Sequence, residues 1–392
     1  MTIPFGLQQR ITLMPSQQGE SAGEPPYVIA MRLSCDQSTA LAATSSPTLV
    51  LFSPHTLSVT GHLTGHTAPV TDACCFQQNA SCVASVGNDG HALIFDIRSS
   101  AQPAVRFKVA AKTSEEVNSC TVGGGDGMLV ASCDSKVVVY DLRAGKKRTT
   151  YEYHSDVVNC VRFHPYHSHW LLSAGDDTNI CFCDTQQDNT SQEGGPEDED
   201  SAMFGEEFLQ VLPNELNVAS FNLIGKEASL LCAVSTTNDV SIFDLDTCSR
   251  LAHFQSIREH PLLQYEDSGG YVVDTMWDEV TERLFILAGS SLGHLLLFHA
   301  NLTTSTPAAT FVNRETQGTG HRAVVRCALS IPTSGSEAAR LLTAGEDGLV
   351  CQWAQDSVEG GASWFKLHNH KVPKPGTSEK GEARRQRRAA PY

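Results

Sequence analysis

Short runs of alternating apolar and polar residues recur along the chain, and Gly, Asn, Asp or Ser separates one run from the next. One stretch shows the pattern well, with runs at 157–163, 170–173 and 179–183. Alternation at every second residue, bounded by turn-forming residues, is typical of β-strands joined by tight turns. Helical periodicity is almost absent, so the sequence predicts an all-β protein.

A repeat organises these runs. Each copy contains a turn with a small residue and an acid, then four alternating residues, and it ends in a column that often holds an aromatic residue followed by Asp. Clear copies lie at 85–96, 133–141, 173–184 and 343–354. In each copy the turn acid precedes the final column by seven residues: Asp89 and Asp96, Asp134 and Asp141, Asp177 and Asp184, Asp347 and Ala354. This shared spacing indicates one structural unit that is used repeatedly.

Weaker copies at 49–52, 240–244 and 295–298 complete the series. The final columns of the resulting seven units are Ser53, Asp96, Asp141, Asp184, Asp244, His299 and Ala354. The longer intervals contain insertions, the most visible of which is the acidic stretch 186–207. Four-stranded units that close into a ring leave no long exposed sheet edge. The sequence therefore predicts a seven-bladed β-propeller with four-stranded antiparallel blades.

The Gly-His pairs at 65–66 and 320–321, the turn acids and the aromatic-Asp columns resemble the WD40-repeat family over about residues 5–368. This resemblance implies a hydrogen-bonded set of His, Ser or Thr, Asp and Trp in each blade. The set is complete in the last blade as His321, Thr343, Asp347 and Trp353. Two blades keep three members each: His66, Ser85 and Asp89 with Phe95 in place of Trp, and His154, Ser173 and Asp177 with Cys183 in place of Trp.

The resemblance also implies that an N-terminal strand completes the last blade. Residues 8–14 fit this role, and 364–367 compete for it. The expected organisation is a propeller over 1–370, with a disordered acidic insertion at 186–207, followed by a disordered basic tail at 371–392.

Composition narrows the classes of function. The 392 residues carry a formal net charge of -16, which disfavours broad contact with a nucleic-acid backbone because the field of the protein repels phosphate. No apolar run is long enough for a transmembrane helix, and the first residues do not look like a secretory signal. The 13 cysteines are odd in number and form no C-x-x-C motif, which favours reduced thiols in a cytoplasmic or nuclear protein.

The chemistry-bearing residues do not predict an enzyme. His, Ser and Asp recur at the same place in successive units, whereas a catalytic site needs one converged set. The histidines at 164, 167 and 169, and those at 368 and 370, lack nearby ligands at metal spacing. The first of these groups is expected in an exposed hairpin. The glycine-rich stretch 123–127 has no following helix or Lys and is expected to be a hairpin turn. We expect no metal and no cofactor.

Two charged segments suggest partners. Residues 186–207 contain eight acids and no base, and they are either a solvated spacer or a lure for a basic client such as a histone or ribosomal protein. The tail 371–388 contains seven bases against two acids. Its compact arginines Arg384, Arg385, Arg387 and Arg388 suggest a nuclear import signal, a weak RNA contact, or only a solvated tail.

Surface residues of the repeats complete the predicted sites. Arg98 and Arg143 follow the final-column acid by two residues, which resembles the signature of WD40 substrate receptors for cullin-RING ubiquitin ligases; the alternative is local pairing with that acid. Partner contacts on the wide face are expected at Thr71, Asn159 and Arg326, with Asn88, Asp176 and Glu346 beside them. The predicted function is a non-catalytic protein-interaction scaffold. Alternatives are a ubiquitin-ligase substrate receptor and a chaperone-like binder of basic proteins.

Overall fold

The structure is a computed structural model that describes residues 3–14, 25–112, 114–186, 208–255, 257–264, 269–278, 282–301, 305–312, 320–331 and 340–355. Across these ranges the chain forms strands and two short 3-10 helices, Lys226–Ala228 and Ile257–Glu259. Neither helix has the length or apolar content needed to cross a membrane. The predicted all-β class is confirmed.

The strands fall into groups of four, which we call blades and number along the chain. Strand β1 is Ile3–Thr12. Blade 1 contains β2 (Val28–Leu33), β3 (Ala40–Thr44), β4 (Leu49–Phe52) and β5 (Val59–Leu63). Blade 2 contains β6 (Val70–Cys75), β7 (Cys82–Gly87), β8 (His91–Asp96) and β9 (Val105–Lys108). Blade 3 contains β10 (Cys120–Gly123), β11 (Met128–Cys133), β12 (Lys136–Asp141) and β13 (Lys146–Tyr151).

The second half of the chain continues the series. Blade 4 contains β14 (Val158–Phe163), β15 (Trp170–Gly175), β16 (Asn179–Asp184) and β17 (Phe208–Pro213). Blade 5 contains β18 (Val218–Ile224), β19 (Leu230–Ser235), β20 (Val240–Asp244) and β21 (Ser249–Phe254). Blade 6 contains β22 (Tyr271–Asp278), β23 (Arg283–Gly289), β24 (Leu295–Ala300) and β25 (Ser305–Val312). Blade 7 contains β26 (Val325–Ile331), β27 (Arg340–Gly345) and β28 (Leu349–Gln355), and β1 is its outer strand.

Within each blade, strands that follow one another in the chain lie next to one another and run antiparallel. Blades 1 to 5 are separate four-stranded sheets, and blades 6 and 7 share one eight-stranded sheet. These two blades are joined because β1 pairs in parallel with β25, from Ile3 opposite Ala309 to Gly6 opposite Val312.

The first strand of each blade contacts the first strand of the next, and β2 of blade 1 contacts β26 and β27 of blade 7. These contacts close the blades into a ring, which is the β-propeller architecture. Apolar side chains fill the space between neighbouring blades. Where the ring closes, Met31 and Val28 of blade 1 pack in one buried cluster with Ile331 and Leu342 of blade 7.

Strand β1 closes the last blade, although its bounds differ from the predicted 8–14. The strand begins at Ile3 and ends at Thr12, and its pairing with β28 runs from Phe5 opposite Gln355 to Thr12 opposite Leu349. The earlier start follows from packing, because Phe5 is buried with its ring centroid 5.1 Å from that of Phe311. The competing segment 364–367, the acidic residues 187–207 and the basic tail lie outside the described residues.

Asp72 links residues in or next to the first strands of blades 1 to 4. Its carboxylate accepts a hydrogen bond from Arg32 of blade 1 at 2.7 Å and from the Ser119 hydroxyl of blade 3 at 3.0 Å. The Arg162 guanidinium of blade 4 lies 3.7 Å from the same carboxylate. Asp72 is 6% exposed, so these contacts satisfy a carboxylate that would otherwise be costly to bury.

Candidate functional site

Three buried sets join the loop that leads into a blade to the turn between its second and third strands. In blade 2, His66 places Nε2 2.8 Å from Ser85 Oγ and Nδ1 3.0 Å from Asp89 Oδ1. In blade 4, the corresponding distances are 2.8 Å from His154 to Ser173 and 2.9 Å from His154 to Asp177.

The set in blade 7 has a fourth member. The Trp353 indole N–H donates to Thr343 Oγ1 at 2.7 Å, and His321 Nε2 lies 2.8 Å from the same oxygen. His321 Nδ1 lies 3.1 Å from Asp347 Oδ2. Because a carboxylate only accepts, Nδ1 carries the ring proton and Nε2 accepts from the Thr343 hydroxyl. The bonds therefore run in one direction from indole to carboxylate.

The turn aspartates are held by backbone groups as well as by histidine. Burial alone would raise the pKa of Asp89, but bonds from the Thr67 N–H, the His66 ring and the His91 N–H outweigh it and lower the pKa. Burial would likewise raise the pKa of Asp177 and Asp347, but hydrogen bonds outweigh it and lower the pKa. In both cases the bond from histidine has the largest lowering effect. Burial lowers the pKa of His66, so its ring stays neutral at neutral pH.

A hydroxyl, an imidazole and a carboxylate in this order also form the catalytic triads of hydrolases. Here the hydroxyls are inaccessible, since Ser85 and Thr343 are 0% exposed and Ser173 is buried. A substrate therefore does not reach these oxygens, and the geometry ties loops together instead. In the part of the chain that the structure describes, no three His, Cys, Asp or Glu side chains converge as metal ligands. All 13 cysteines are described, and none of them is part of a disulfide bond.

Two faces of the ring follow from the antiparallel order of the strands. We call the face that carries the loops into each first strand, and the turns between second and third strands, the upper face. The lower face carries the turns between first and second strands and between third and fourth strands. The sets at His66, His154 and His321 therefore lie on the upper face.

The predicted partner residues Thr71, Asn159 and Arg326 lie at β-bulges. In six blades the pairing of the first two strands skips the residue after the leading valine. A bulge turns the side chain of the skipped residue away from the position that it would have in a regular strand pair. The skipped residues are Ile29, Thr71, Asn159, Ala219, Val273 and Arg326.

Two of these side chains reach the neighbouring blade. Thr71 Oγ1 donates to the Val117 carbonyl ahead of blade 3 at 2.5 Å, and Asn159 Nδ2 donates to the Val218 carbonyl of blade 5 at 3.0 Å. The sequence does not reveal this role, because a backbone carbonyl in another blade has no sequence signature. Thr71 and Asn159 thus connect blades on the upper face.

The structure brings the predicted turn residues beside the bulges in two blades. Asn159 Nδ2 donates to Asp176 Oδ1 at 2.8 Å, and Arg326 Nε donates to Glu346 Oε1 at 2.8 Å. The Arg326 side chain is 56% exposed. Asn88 in blade 2 is also exposed, and its N–H donates to the Pro69 carbonyl at 2.9 Å.

Arg98 and Arg143 lie on the lower face in neighbouring blades. Arg98 makes a double hydrogen bond with Asp96, from Nε to Oδ1 at 3.1 Å and from Nη2 to Oδ2 at 2.8 Å. Its side chain nevertheless remains 68% exposed. In blade 3 the Asp141 carboxylate instead accepts the N–H groups of Arg143 and Ala144, both at 2.8 Å.

One expectation for the lower face is wrong in part. The hairpin at 164–169 joins β14 to β15 as expected, but its first histidine is not exposed. His164 is 3% exposed, because its ring packs against blade 5 and Nε2 lies 3.1 Å from the Ala228 carbonyl oxygen.

Comparison with known proteins agrees with this geometry. The family model described as "WD domain, G-beta repeat" matches residues 57–96 and 145–184. Each match spans the outer strand of one blade and the three inner strands of the next. The chain is similar to WD repeat-containing protein GTS1 of Arabidopsis thaliana, with 26% identity over 348 residues, 86% of this chain and 84% of that protein.

A second relative covers a smaller part. WD repeat-containing protein YPL247C of Saccharomyces cerevisiae is 26% identical over 144 residues, which are 31% of this chain and 27% of that protein. The repeat matches, the long alignment and the histidine sets in blades 2, 4 and 7 agree with one another. The chain thus contains WD40 repeats, and it is similar to WD repeat-containing proteins over most of its length.

Proposed function

We propose that the protein is a non-catalytic scaffold that binds partner proteins through the upper face of its propeller. WD40-repeat proteins generally act as interaction scaffolds. The observation that carries the choice of face is that Asn88, Asp176 and Glu346 each directly precede an aspartate held by a buried histidine. These neighbours hold the turns in place before a partner arrives, which reduces the entropy lost on binding. Glu346 is paired with Arg326, whereas Asp176 accepts from the neutral amide of Asn159, so the favoured partner presents a basic group near Asp176.

Purification of the tagged full-length chain and of the variant Asn88→Ala/Asp176→Ala/Glu346→Ala tests the upper face. We expect quantitative mass spectrometry to show that a defined group of proteins is lost from the variant. The control is Lys146→Ala/Lys147→Ala on the exposed outer strand of blade 3. Equal recovery with both variants would exclude the upper face. Removal of residues 371–392 in a parallel sample identifies proteins that need only the tail.

A ubiquitin-ligase substrate receptor is a second candidate, and the lower face offers an observation in its favour. Arg98 and Arg143 occupy the same turn in neighbouring blades and both are exposed. In this candidate, Arg98→Ala/Arg143→Ala abolishes co-purification of a ligase adaptor, whereas Lys146→Ala/Lys147→Ala does not. Unchanged adaptor recovery would reject it.

The third candidate is a chaperone-like binder of basic proteins, and it rests on the eight acids of 186–207. Deletion of 193–207 should weaken capture of a histone or ribosomal protein at low salt. Replacement of the same acids by Gln and Asn at constant length should weaken it equally, because the attraction depends on charge. Full capture by either variant would count against this candidate.

Residence in the nucleus, the cytoplasm or both is also proposed. Replacing Arg384, Arg385, Arg387 and Arg388 by Ala in a fluorescent fusion should move the protein out of the nucleus if the tail is an import signal. Weak RNA contact through the tail would be lost in the same variant.

Within the family, the order of well-formed and degenerate blades is similar to that of WD repeat-containing protein 89, and this closer likeness is part of the proposal.

A further inference from the structure

A small pocket opens on the lower face between blades 4 and 5. About 430 Å³ of empty space lies in and in front of it, and part of this volume is open solvent. Blade 4 supplies His164, His167, Trp170 and Phe182, and blade 5 supplies Glu227 and Asp246 among the lining residues. It lies on the face opposite the proposed upper-face surface, and it does not depend on that proposal.

Aromatic rings form the wall on the side of blade 4. The His167 ring stacks on the Trp170 indole with centroids 3.8 Å apart, and the Phe182 ring meets the same indole edge-on at 5.0 Å. These contacts fix the orientation of Trp170, which is half-buried. The face of an indole attracts cations more strongly than other aromatic side chains do.

His164 lies behind this wall and is held in its neutral form. The N–H groups of Tyr166 and His167 donate to Nδ1 at 3.2 and 3.1 Å, so Nδ1 has no proton. The proton is on Nε2, which donates to the Ala228 carbonyl of blade 5 at 3.1 Å. His164 therefore joins the two blades without adding positive charge to the pocket.

Two exposed carboxylates stand on the side of blade 5. Glu227 and Ala228 both adopt left-handed backbone conformations, with φ of 55° and 56°. Residues other than glycine keep this conformation only where the surroundings impose it. The bond from His164 to the Ala228 carbonyl supplies such a constraint. The backbone of Glu227 is thus held beside the aromatic wall.

The chain leads from this region directly into the acidic segment. The N–H and the hydroxyl of Thr185 both donate to the His169 carbonyl at 2.9 Å, next to Trp170 in sequence. Residues 187–207, with eight acids, follow immediately in the sequence. Thr185 and Gln186, the last described residues before this segment, follow the end of β16 on the lower face, where the pocket also lies.

We propose that this pocket binds the cationic end of an arginine or lysine side chain from a basic segment of a partner protein. The cation packs against the aromatic wall, and the carboxylates of Glu227 and Asp246 balance its charge. Such a combination recognises cations more tightly than exposed carboxylates alone.

The test measures binding of a fluorescein-labelled peptide of alternating arginine and glycine to the full-length chain by anisotropy at low salt. Replacing Glu227 and Asp246 by Gln and Asn should weaken binding by about tenfold, and Trp170→Phe should weaken it about threefold. The matched control is Glu282→Gln, because Glu282 is an exposed acid in the equivalent turn of blade 6, with φ of 51°. A lysine-glycine peptide compares the two cations, and a serine-glycine peptide should not bind.

The outcomes separate the pocket from other acidic surfaces. The effect of Trp170→Phe should persist after deletion of 193–207, since the ring contact does not depend on that segment. Equal affinity of the double variant and of the Glu282→Gln control would overturn the pocket. So would loss of affinity only in the Asn88→Ala/Asp176→Ala/Glu346→Ala variant, which would assign the peptide to the upper face. Thermal melting shows whether Trp170→Phe is folded, and the carboxylate variants change only exposed side chains.

Discussion

At the scale of single residues, Thr343 occupies the centre of the most complete buried set. Its hydroxyl accepts the Trp353 N–H and donates to His321, so one oxygen satisfies two other buried polar groups. In blade 4, the Ser173 hydroxyl has the same role toward His154 but no indole partner. Removing a hydroxyl therefore has different costs in the two blades, because each unsatisfied buried group costs about 1–3 kcal/mol.

We expect Thr343→Val to lower the free energy of unfolding by about 3 kcal/mol, and Ser173→Ala to lower it by about 1.5 kcal/mol. Chemical denaturation of both variants measures the two losses. Thr67→Val serves as the control, because Thr67 is exposed and should change stability by less than about 0.5 kcal/mol. Equal losses for Thr343→Val and Ser173→Ala would show that the indole bond contributes nothing.

The residues of these sets could be predicted from sequence, whereas the use of the bulges could not. His66 and Asp89 lie 23 residues apart, as His154 and Asp177 do, so the spacing repeats visibly. By contrast, Asn159 reaches a carbonyl 59 residues away. The chemistry of a carbonyl is the same at every position, and no pattern of side chains reveals which one a distant amide will meet.

At the scale of elements, β1 links two blades. It pairs antiparallel with β28 in blade 7 and parallel with β25 in blade 6. Phe5 belongs to the apolar cluster that also contains Phe311 and Trp353. The strand thus stabilises blade 7 both by its backbone hydrogen bonds and by its side chains.

We expect Phe5→Ala to lower the free energy of unfolding by about 3 kcal/mol, because it opens a cavity in this cluster. Denaturant titration followed by tryptophan fluorescence measures the loss. Gln8→Ala on the same strand is the control, since Gln8 is exposed. A loss no larger than that of the control would mean that β1 is held by its backbone pairing alone.

That β1 is a strand was predictable from the sequence, but which strands pair with β1 was only partly predictable. Alternating residues marked a strand, and the family resemblance assigned it to the last blade. The parallel contact with β25 has no counterpart in the pattern, because alternation is the same for either direction of a neighbour. The start at Ile3 depended on which aromatic rings meet in space.

At the scale of the whole molecule, protonation acts on several blades at once. The folded-state pKa values of Asp89, Asp177 and Asp347 lie below the ordinary value of 3.8. The stability that these groups contribute is therefore present above pH 3.8 and is lost as the pH falls through the lowered values. The pKa of His66 is also lowered, from 6.5, so its protonation favours unfolding as the pH falls below 6.5.

We expect acid to reduce the difference in stability between the wild-type chain and Asp89→Asn. The difference should be constant near neutral pH and should shrink as the pH falls below 3.8, because the aspartate is then protonated in the unfolded chain before it is protonated in the folded one. Denaturant unfolding from about pH 8 to about pH 3 measures it. Acidification also reduces the net charge of -16 and so relieves repulsion between like charges in the folded protein. This effect is nearly the same in both proteins, so it largely cancels when their stabilities are compared. A difference that grows in acid would contradict this view of the turn.

The ring itself was predictable because its units repeat. The seven final columns lie at or directly after the third strand of successive blades, from Ser53 after β4 to Ala354 in β28. The contacts around Asp72 were not predictable. Arg32, Asp72 and Arg162 lie in three different repeats, and only closure of the ring brings them together.

The pairing of β1 with β28 has a consequence for how the chain can be cut and rejoined. Because both ends of the described propeller lie in blade 7, a linker could connect them, and new termini could be opened between β16 and β17. In such a circular permutant, blade 4 would become the blade completed by strands from both ends of the chain. The ring would then have the same contacts with a different closure point, so the order of assembly would change while the native topology stayed the same.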